Sequence, residues 1–427
     1  MTLSELRDKR IAIWGMGREG KASFKHLKIT YPNKTISVID NLPLDGSEGN
    51  TFIPETDLLN HLDELDVIIK SPGISYYHEY VAKILDKKIT ITSATNLWFS
   101  IERKGKVIAI TGSNGKSTTS ALLHHILRKL HLNAELGGNI GTPLFSLPDD
   151  ADYYVVELSS YQTCDLKYAP DIAVLLNLFP EHIQWHKSHE TYYNDKCNLL
   201  RRGAAINIVN YNEERTHGIA PNPVFFNDDK AIHFVENSIF DNQVKIGGTD
   251  HFPLLGDHNL ENLCAALTIC KELNLNLPDC LKASFSYPGL AHRLQLVGKI
   301  GDHYYINDSI STDPEATTAA LNALNDKTVT LIAGGEDRKQ NYDELCNLID
   351  QQNINAVITA YETGPRIYNG INKVQKIAVT SLEEAVQVAQ KVTPRGGYIL
   401  LSPAAPSYDA FKDFEERGDL FIKFVLN

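Results

Sequence analysis

Short, continuously apolar runs punctuate this 427-residue chain and alternate with longer helical stretches. RIAIWG, TISVID, DVIIKS, VIAITG, YYVVELS and IAVLLNLF occupy the first half; HYYINDS, TVTLIAGG, AVITA, KIAVT and YILLSPA occupy the second. Runs of this length, rich in β-branched residues and lacking polar alternation, predict strands covered on both faces. Helices between them predict crossovers, so the pattern predicts an α/β protein with mostly parallel sheets. Even AVLLNLF at 173–179 falls far short of the ~20 residues a membrane span needs and reads as a buried strand.

Two of the strands run straight into glycine-rich turns, at 15–20 and at 112–115. One compact sheet does not ordinarily carry two nucleotide-type turns about 100 residues apart, which places a boundary near residue 97. A third block opens near 289, where YPGLAHRLQLVG reads as a turn and a strand after a helical stretch. The expected organisation is three α/β domains in series: 1–97, 98–288 and 289–427. No internal repeat or low-complexity tract interrupts them.

Composition narrows the function. A formal net charge of −12 argues against nucleic acid as a partner, since phosphate backbones require clustered Lys and Arg. The six cysteines contain no CxxC pair, and their irregular spacing reads as buried thiols rather than a disulfide framework. The segment MTLSELRDKRIAIWGMG has no apolar stretch of signal-peptide length, and a cytoplasmic location is expected.

The strongest chemical signal is VIAITGSNGKSTTSALLHHIL, a strand, a loop and a helix. Gly112 and Gly115 let backbone amides turn toward phosphate oxygens, with Ser113 and Asn114 between them. Lys116 can reach the β- and γ-phosphates and Ser117 can ligate magnesium. Thr118 continues into a helix whose positive end faces the anion. The loop is shorter than the general GxxxxGK[ST] pattern. Earlier, Gly15, Gly17 and Gly20 have GxGxxG spacing after a strand, and Asp40 ends the next one. That is either a dinucleotide fingerprint or a diphosphate turn of another kind. The turn KSPGIS follows a further strand at the same expected sheet edge. GGNIGTPL offers Asn139, and Glu157 ends a strongly apolar strand, where a carboxylate is costly unless paired or metal-bound. Three histidines follow, His182, His186 and His189. Without Cys or HExxH they fit one residue near a magnesium site and two solvated ones better than zinc. Lys196 lies in a helical run.

Taken in order, GMGREG, SPGI, TGSNGKST, GGNIG, VVELSSYQ, PEH, DKCNL, GDHNLEN, AHR, INDSISTDPEAT, AGGEDR and SPAAPSYDAFKDFEERG resemble the Mur ligase family across nearly the whole chain. The resemblance implies a Rossmann-like UDP-precursor domain, a central phosphate-loop ATPase domain and a Rossmann-like amino-acid domain. It implies ATP-dependent addition of glutamate to UDP-N-acetylmuramoyl-L-alanine through an acyl phosphate, by a monomer with small-molecule substrates. Glu157, His182 and Ser117 match magnesium ligands, two ions being expected and manganese an alternative. Lys196 matches the lysine that carbon dioxide carbamylates in this family. Asn262, Arg293 and Asp308 match nucleotide contacts. Thr312, Arg338, Ser407, Tyr408 and Phe414 match the amino-acid site, and Gly15, Met16, Gly17, Asp40, Asn41, Ser71, Gly73 and Asn139 the UDP-precursor site.

The chain departs from the family pattern at Ile310 and Arg338, where lysine is frequent, and at Ala405-Pro406 in place of a Cys-Ala step. ATNLWF also lacks a common acidic residue. D-glutamate is the expected amino acid, and because three of these four departures lie in the third block, L-glutamate is the alternative. Other readings are a Mur or folylpolyglutamate-type ligase for a different acceptor, a nucleotide sensor, and an NAD-dependent oxidoreductase. The last leaves TGSNGKS and Glu157 unexplained.

Overall fold

The computed structural model describes residues 1–41, 51–254 and 256–426. They form two compact units, Met1–Phe252 with His258–Tyr287, and Pro253–Asp257 with the residues from Pro288 onward.

The first unit contains two sheets. In the first, β1 (Ile11–Trp14), β2 (Ile36–Asp40), β3 (Phe52–Pro54), β4 (Val67–Lys70) and β5 (Thr90–Ser93) are all parallel in the order β3-β2-β1-β4-β5. Every residue of β1 and β4 is buried, as expected of strands at the centre of a sheet covered on both faces. The second sheet contains β6 (Lys106–Thr111), β7 (Ala134–Gly138), β8 (Tyr153–Glu157), β9 (Ile172–Leu175), β10 (Ile206–Asn210), β11 (Val224–Phe226), β12 (Ile232–Val235), β13 (Ser238–Asp241) and β14 (Val244–Gly248). Its order is β14-β13-β12-β11-β10-β9-β6-β8-β7. Pairing is parallel from β7 to β12 and antiparallel through β13 and β14. Strand β9 is shorter than IAVLLNLF suggests, because Asn177–Phe179 leave the ladder to hold a neighbouring loop.

Between the sheets runs the helix Ala94–Phe99, started by the Ser93 hydroxyl accepting from the Asn96 amide. It is buried along nearly its whole length, with Asn96 donating to Asp165 O (2.8 Å) and accepting from the Lys167 amide (2.8 Å). The Arg103 guanidinium covers the Trp98 ring at 3.8 Å. The amide of Asn96 thus satisfies both partners without burying a charge.

The second unit holds β15 (Gln295–Ile300), β16 (His303–Asn307), β17 (Val329–Ala333), β18 (Ile354–Thr359), β19 (Gln375–Ala378) and β20 (Tyr398–Leu401) in the order β15-β16-β20-β17-β18-β19. All pairs are parallel except β15 with β16. All six cysteines are free thiols; five are buried and Cys164 is partly covered. Among the described residues no helix is long and apolar enough to cross a membrane.

Candidate active site

Thr111 ends β6 and the chain turns through Gly112–Gly115 into the helix Lys116–Lys129. Gly115 has φ +79, and a Cβ there would lie 2.3 Å from Asn262 Oδ1. Glycine is thus required twice, by conformation and by contact. Asn262, on the helix Asp257–Glu272, also accepts from the Thr119 hydroxyl (3.1 Å). The loop is braced by the segment after β9. Ser113 N donates to Asn177 O (2.9 Å), Asn114 N to Asn177 Oδ1 (2.8 Å), and Phe179 N to Ser113 Oγ (2.7 Å). That segment is itself clamped. The carboxylate of Glu213 accepts from Leu178 N (2.9 Å) while Arg215 donates to Leu178 O (2.9 Å), and the two side chains pair at 2.7 Å. Ser117 and Thr118 stand in the first helical turn.

Two lysines converge on this loop. Lys116 Nζ donates to Gly112 O (2.8 Å) and Ser113 O (2.5 Å), and Lys196 Nζ donates to the same Gly112 O (2.6 Å). Lys196 projects from the helix His189–Arg201 and is 1% exposed. Burial, reinforced by the charge of Lys116, drives its pKa well below that of an ordinary lysine. A buried amine of this kind is poised to be neutral and nucleophilic.

Glu157, at the end of β8, is 0% exposed. Asn139 donates to its Oε1 (2.6 Å), and its Oε2 has no hydrogen-bond partner among the described residues. An unpaired carboxylate oxygen buried beside a phosphate-type loop fits a hard cation. His182 has φ +53 and is half exposed. Burial lowers its pKa, helped by Lys196 and Lys116 and opposed by Glu181. Among the described residues no three His, Cys, Asp or Glu side chains form a metal cluster. A cation here would draw on donors other than such a cluster, with the free oxygen of Glu157 as one of them. His186 is not solvated as expected; it is fully buried.

At the carboxyl edge of the first sheet, Asp40 ends β2, and Gly15 (φ +88), Met16, Gly17, Asn41, Ser71 and Gly73 lie just after β1, β2 and β4. Ser71 Oγ donates to Gly15 O (2.5 Å). The Asp40 carboxylate accepts from Met16 N (2.6 Å) and Asn41 N (2.7 Å), so it shapes its own turn. A Cβ on Gly17 would meet nothing within 4 Å, leaving that side of the turn open. Arg18, unremarked inside GMGREG, donates to Gly138 O (3.3 Å), Asn139 O (2.7 Å) and Gly141 O (3.2 Å), joining this turn to the loop that carries Glu157's partner. Burial pushes neighbouring Glu19 up to about 7.

In the second unit Arg338 covers the Tyr408 ring (5.7 Å) and pairs with Glu336 (3.0 Å). Ser407 is buried and Arg293 exposed. Thr312 and Phe414 are half-buried, the Phe414 ring lying 6.1 Å from that of His292. The residue that sequence reading missed is Arg417, 1% exposed. It donates to Ser309 Oγ (3.0 Å), Ser309 O (2.8 Å), Ala405 O (3.1 Å) and Pro406 O (3.2 Å). It thereby ties together the loops of Thr312 and Ser407.

Asp308 accepts from Ser311 (2.5 Å), Ser402 (2.8 Å) and Leu294 N (3.0 Å), yet burial pushes it up to about 6. The folded state holds this proton more tightly than the unfolded chain, whose ordinary Asp value is 3.8. Its contribution to stability is therefore fullest below about pH 4 and falls by about 3 kcal/mol as pH rises through about 6. Denaturant midpoints across this range should fall less steeply for Asp308→Asn than for the parent; parallel slopes would refute this origin.

Comparisons with known proteins bear on the family and the fold. The Mur ligase middle domain matches residues 110–270, and the Mur ligase, glutamate ligase domain matches residues 292–405. UDP-N-acetylmuramoyl-L-alanine--L-glutamate ligase of a Micromonospora species is 34% identical over 100% of this chain and 98% of its own length. The same-named protein of Xanthomonas euvesicatoria is 34% identical over 100% of this chain and 97% of its own length. Among solved structures, UDP-N-acetylmuramate-alanine ligase MurC of Thermotoga maritima has TM-score 0.60 at 17% identity, covering 97% of this chain and 98% of its own. MurF of the same organism, in complex with ADP, has TM-score 0.60 at 16% identity, covering 99% and 96%. Those two likenesses carry the fold. With the full-length identities, they lead to one conclusion: the chain belongs to the Mur ligase family, the ATP-dependent enzymes that join amino acids to peptidoglycan precursors.

Proposed function

We propose that this chain joins L-glutamate to UDP-N-acetylmuramoyl-L-alanine, with ATP converted to ADP and phosphate. The observation that carries the ligase chemistry is the meeting of Lys116 and Lys196 at Gly112 O, on the loop before the helix of Ser117. L-Glutamate replaces the D-isomer favoured by sequence because relatives matching the whole chain bear L-glutamate in their names. The departures at Ile310, Arg338 and Ala405-Pro406 support the same choice. We also infer the functional division 1–97 for the precursor, 98–288 for ATP and 289–427 for the amino acid.

A carboxylate does not lose oxide to an amine. Transfer of the γ-phosphoryl group onto the precursor's carboxylate gives an acyl phosphate. The amino group of glutamate then attacks the carbonyl carbon, the C–N bond forms, phosphate leaves, and the ammonium protons pass to solvent. The protein's part is positioning and charge compensation. Amides of 112–115 and Lys116 cradle the phosphates. Glu157, Ser117, His182 and carbamylated Lys196 would hold magnesium, which when bound disperses the charge of the transferring phosphoryl group. Carbamylation needs a neutral amine: the Lys196 nitrogen bonds to the carbon of carbon dioxide, releases one proton and becomes an oxygen-donor anion. Asn262, Arg293 and Asp308 serve the nucleotide. Gly15, Met16, Gly17, Asp40, Asn41, Ser71, Gly73 and Asn139 serve the UDP-precursor. Thr312, Arg338, Ser407, Tyr408 and Phe414 serve the amino acid. His182 orients groups rather than acting as the base.

The test is phosphate release from ATP with UDP-N-acetylmuramoyl-L-alanine and L-glutamate, D-glutamate or no amino acid. Release dependent on L-glutamate is expected. Dependence on D-glutamate alone would reverse the stereochemistry, and no release with either would overturn the substrate assignment.

A further inference from the structure

A buried polar chain lies behind the catalytic lysine, outside every motif contact described so far. His186 is 0% exposed. Its Nδ1–H donates to Asp195 Oδ2 (2.6 Å), and its Nε2 shares a hydrogen bond with the Ser160 hydroxyl (2.9 Å). The Tyr77 hydroxyl donates to both oxygens of Asp195 (2.8 and 3.0 Å). Ser160, Asp195 and His186 form a serine–histidine–carboxylate series, but Ser160 is 2% exposed, so no substrate reaches it and hydrolytic chemistry is excluded.

The connections of this chain point to another role. Asp195 immediately precedes Lys196 on their helix, where neighbouring side chains diverge by about 100°. Fixing Asp195 on one side therefore fixes the direction in which Lys196 leaves on the other. Ser160 lies three residues beyond Glu157 and opens the short helix Ser160–Thr163. Tyr77 belongs to the turn that follows Ser71 and Gly73, and neighbouring Ser75 donates to Trp185 O (2.7 Å). One histidine, through Asp195 and Tyr77, thus links the lysine helix, the short helix that follows the carboxylate strand and the precursor turn.

We propose that His186 and Asp195 are positioning residues that set the roll of the helix His189–Arg201, and so the placement of Lys196 relative to Glu157, for binding the metal–nucleotide. The proposal rests on the ligase reading of this site but not on which amino acid is joined. Carboxylates and imidazoles held behind metal ligands commonly govern affinity by about 10–100-fold when removed.

The experiment measures Mn²⁺ binding by electron paramagnetic resonance, in the presence of a non-hydrolysable ATP analogue, for the full chain and two variants. His186→Gln, which cannot reproduce the two-sided bridge, should weaken Mn²⁺ binding about 10–100-fold. Tyr77→Phe, which keeps the ring packing and removes one donor, should weaken it by about 3–10-fold while the protein remains folded. Tyr77→Phe is the fold-preserving control if His186→Gln proves unstable. Folded Tyr77→Phe protein with unaltered Mn²⁺ affinity would overturn the proposal and leave the chain a packing element. Because binding is read without turnover, failure with every amino acid in the phosphate-release assay would be a separate result, against the substrate assignment alone.

Discussion

Replacing Lys116 with methionine lowers phosphate release from ATP by about 10³-fold while the fold is retained. The side chain is unbranched and shorter by one atom, and the helix start at Gly115 is untouched, so the change falls mainly on charge and hydrogen bonding. Loss of one preorganised donor to a developing anion costs about 10²–10³-fold in comparable sites. A second effect has the same sign. Lys116 is one of the causes that hold the Lys196 amine below its ordinary pKa, so its removal makes that amine more basic and less available for the proposed carbamylation. Single-turnover phosphate release, with nucleotide affinity measured in parallel, separates chemistry from binding. Release within tenfold of the parent would remove Lys116 from the proposed role.

Gly20→Ala is expected to damage the first sheet more than any substitution at its open turn. A Cβ on Gly20 would lie 2.1 Å from Gly15 O and 3.0 Å from Ser71 Oγ. Gly15 cannot retreat easily: its N–H donates to Ile39 O (2.9 Å) and its carbonyl accepts from Ser71. Relief must come from shifting the helix Arg18–Thr30 off β1, at a cost of about 3 kcal/mol. Precursor binding should fall with it, because Arg18 on that helix anchors the Asn139 loop. Gly17→Ala is the contrasting case: its Cβ meets nothing within 4 Å and its φ is −65. It should leave stability within about 0.5 kcal/mol and impair only ligand approach. Chemical denaturation of both variants distinguishes them; equal losses would mean that the third glycine of the fingerprint is not a packing residue.

What sequence could reveal divides along physical lines. The phosphate loop was legible because its requirements are local: a buried strand, glycines where the backbone turns, and a lysine and hydroxyl at the head of a helix. Glu157 was legible as a carboxylate out of place in an apolar strand. The partners of these groups were not. Arg417 sits in FEERG, whose local sequence does not disclose its partner, and it spans 108 positions to reach Ser309. His186 looked like one of several surface histidines, and only tertiary packing brings Ser160 and Asp195 to its two nitrogens. Glu213 and Arg215 carry no signature at all, since their target is the backbone of Leu178. Among the strands, β12–β14 escaped notice although the β13–β14 turn contains Asn242 at φ +55, the left-handed conformation a tight hairpin favours. Asp40 was legible as an important position, but its place at the end of β2 could not distinguish a ligand contact from the backbone contacts it makes.

The distribution of thiols also makes the chain its own stopwatch. Cys197, Cys264, Cys270 and Cys280 are sealed within the first unit and Cys346 within the second. An alkylating reagent reaches such sulfurs only when the surrounding structure opens, so modification rates count opening events rather than surface encounters. With Cys346 as the second unit's sole thiol, peptide-resolved labelling times the breathing of each unit separately without any introduced probe.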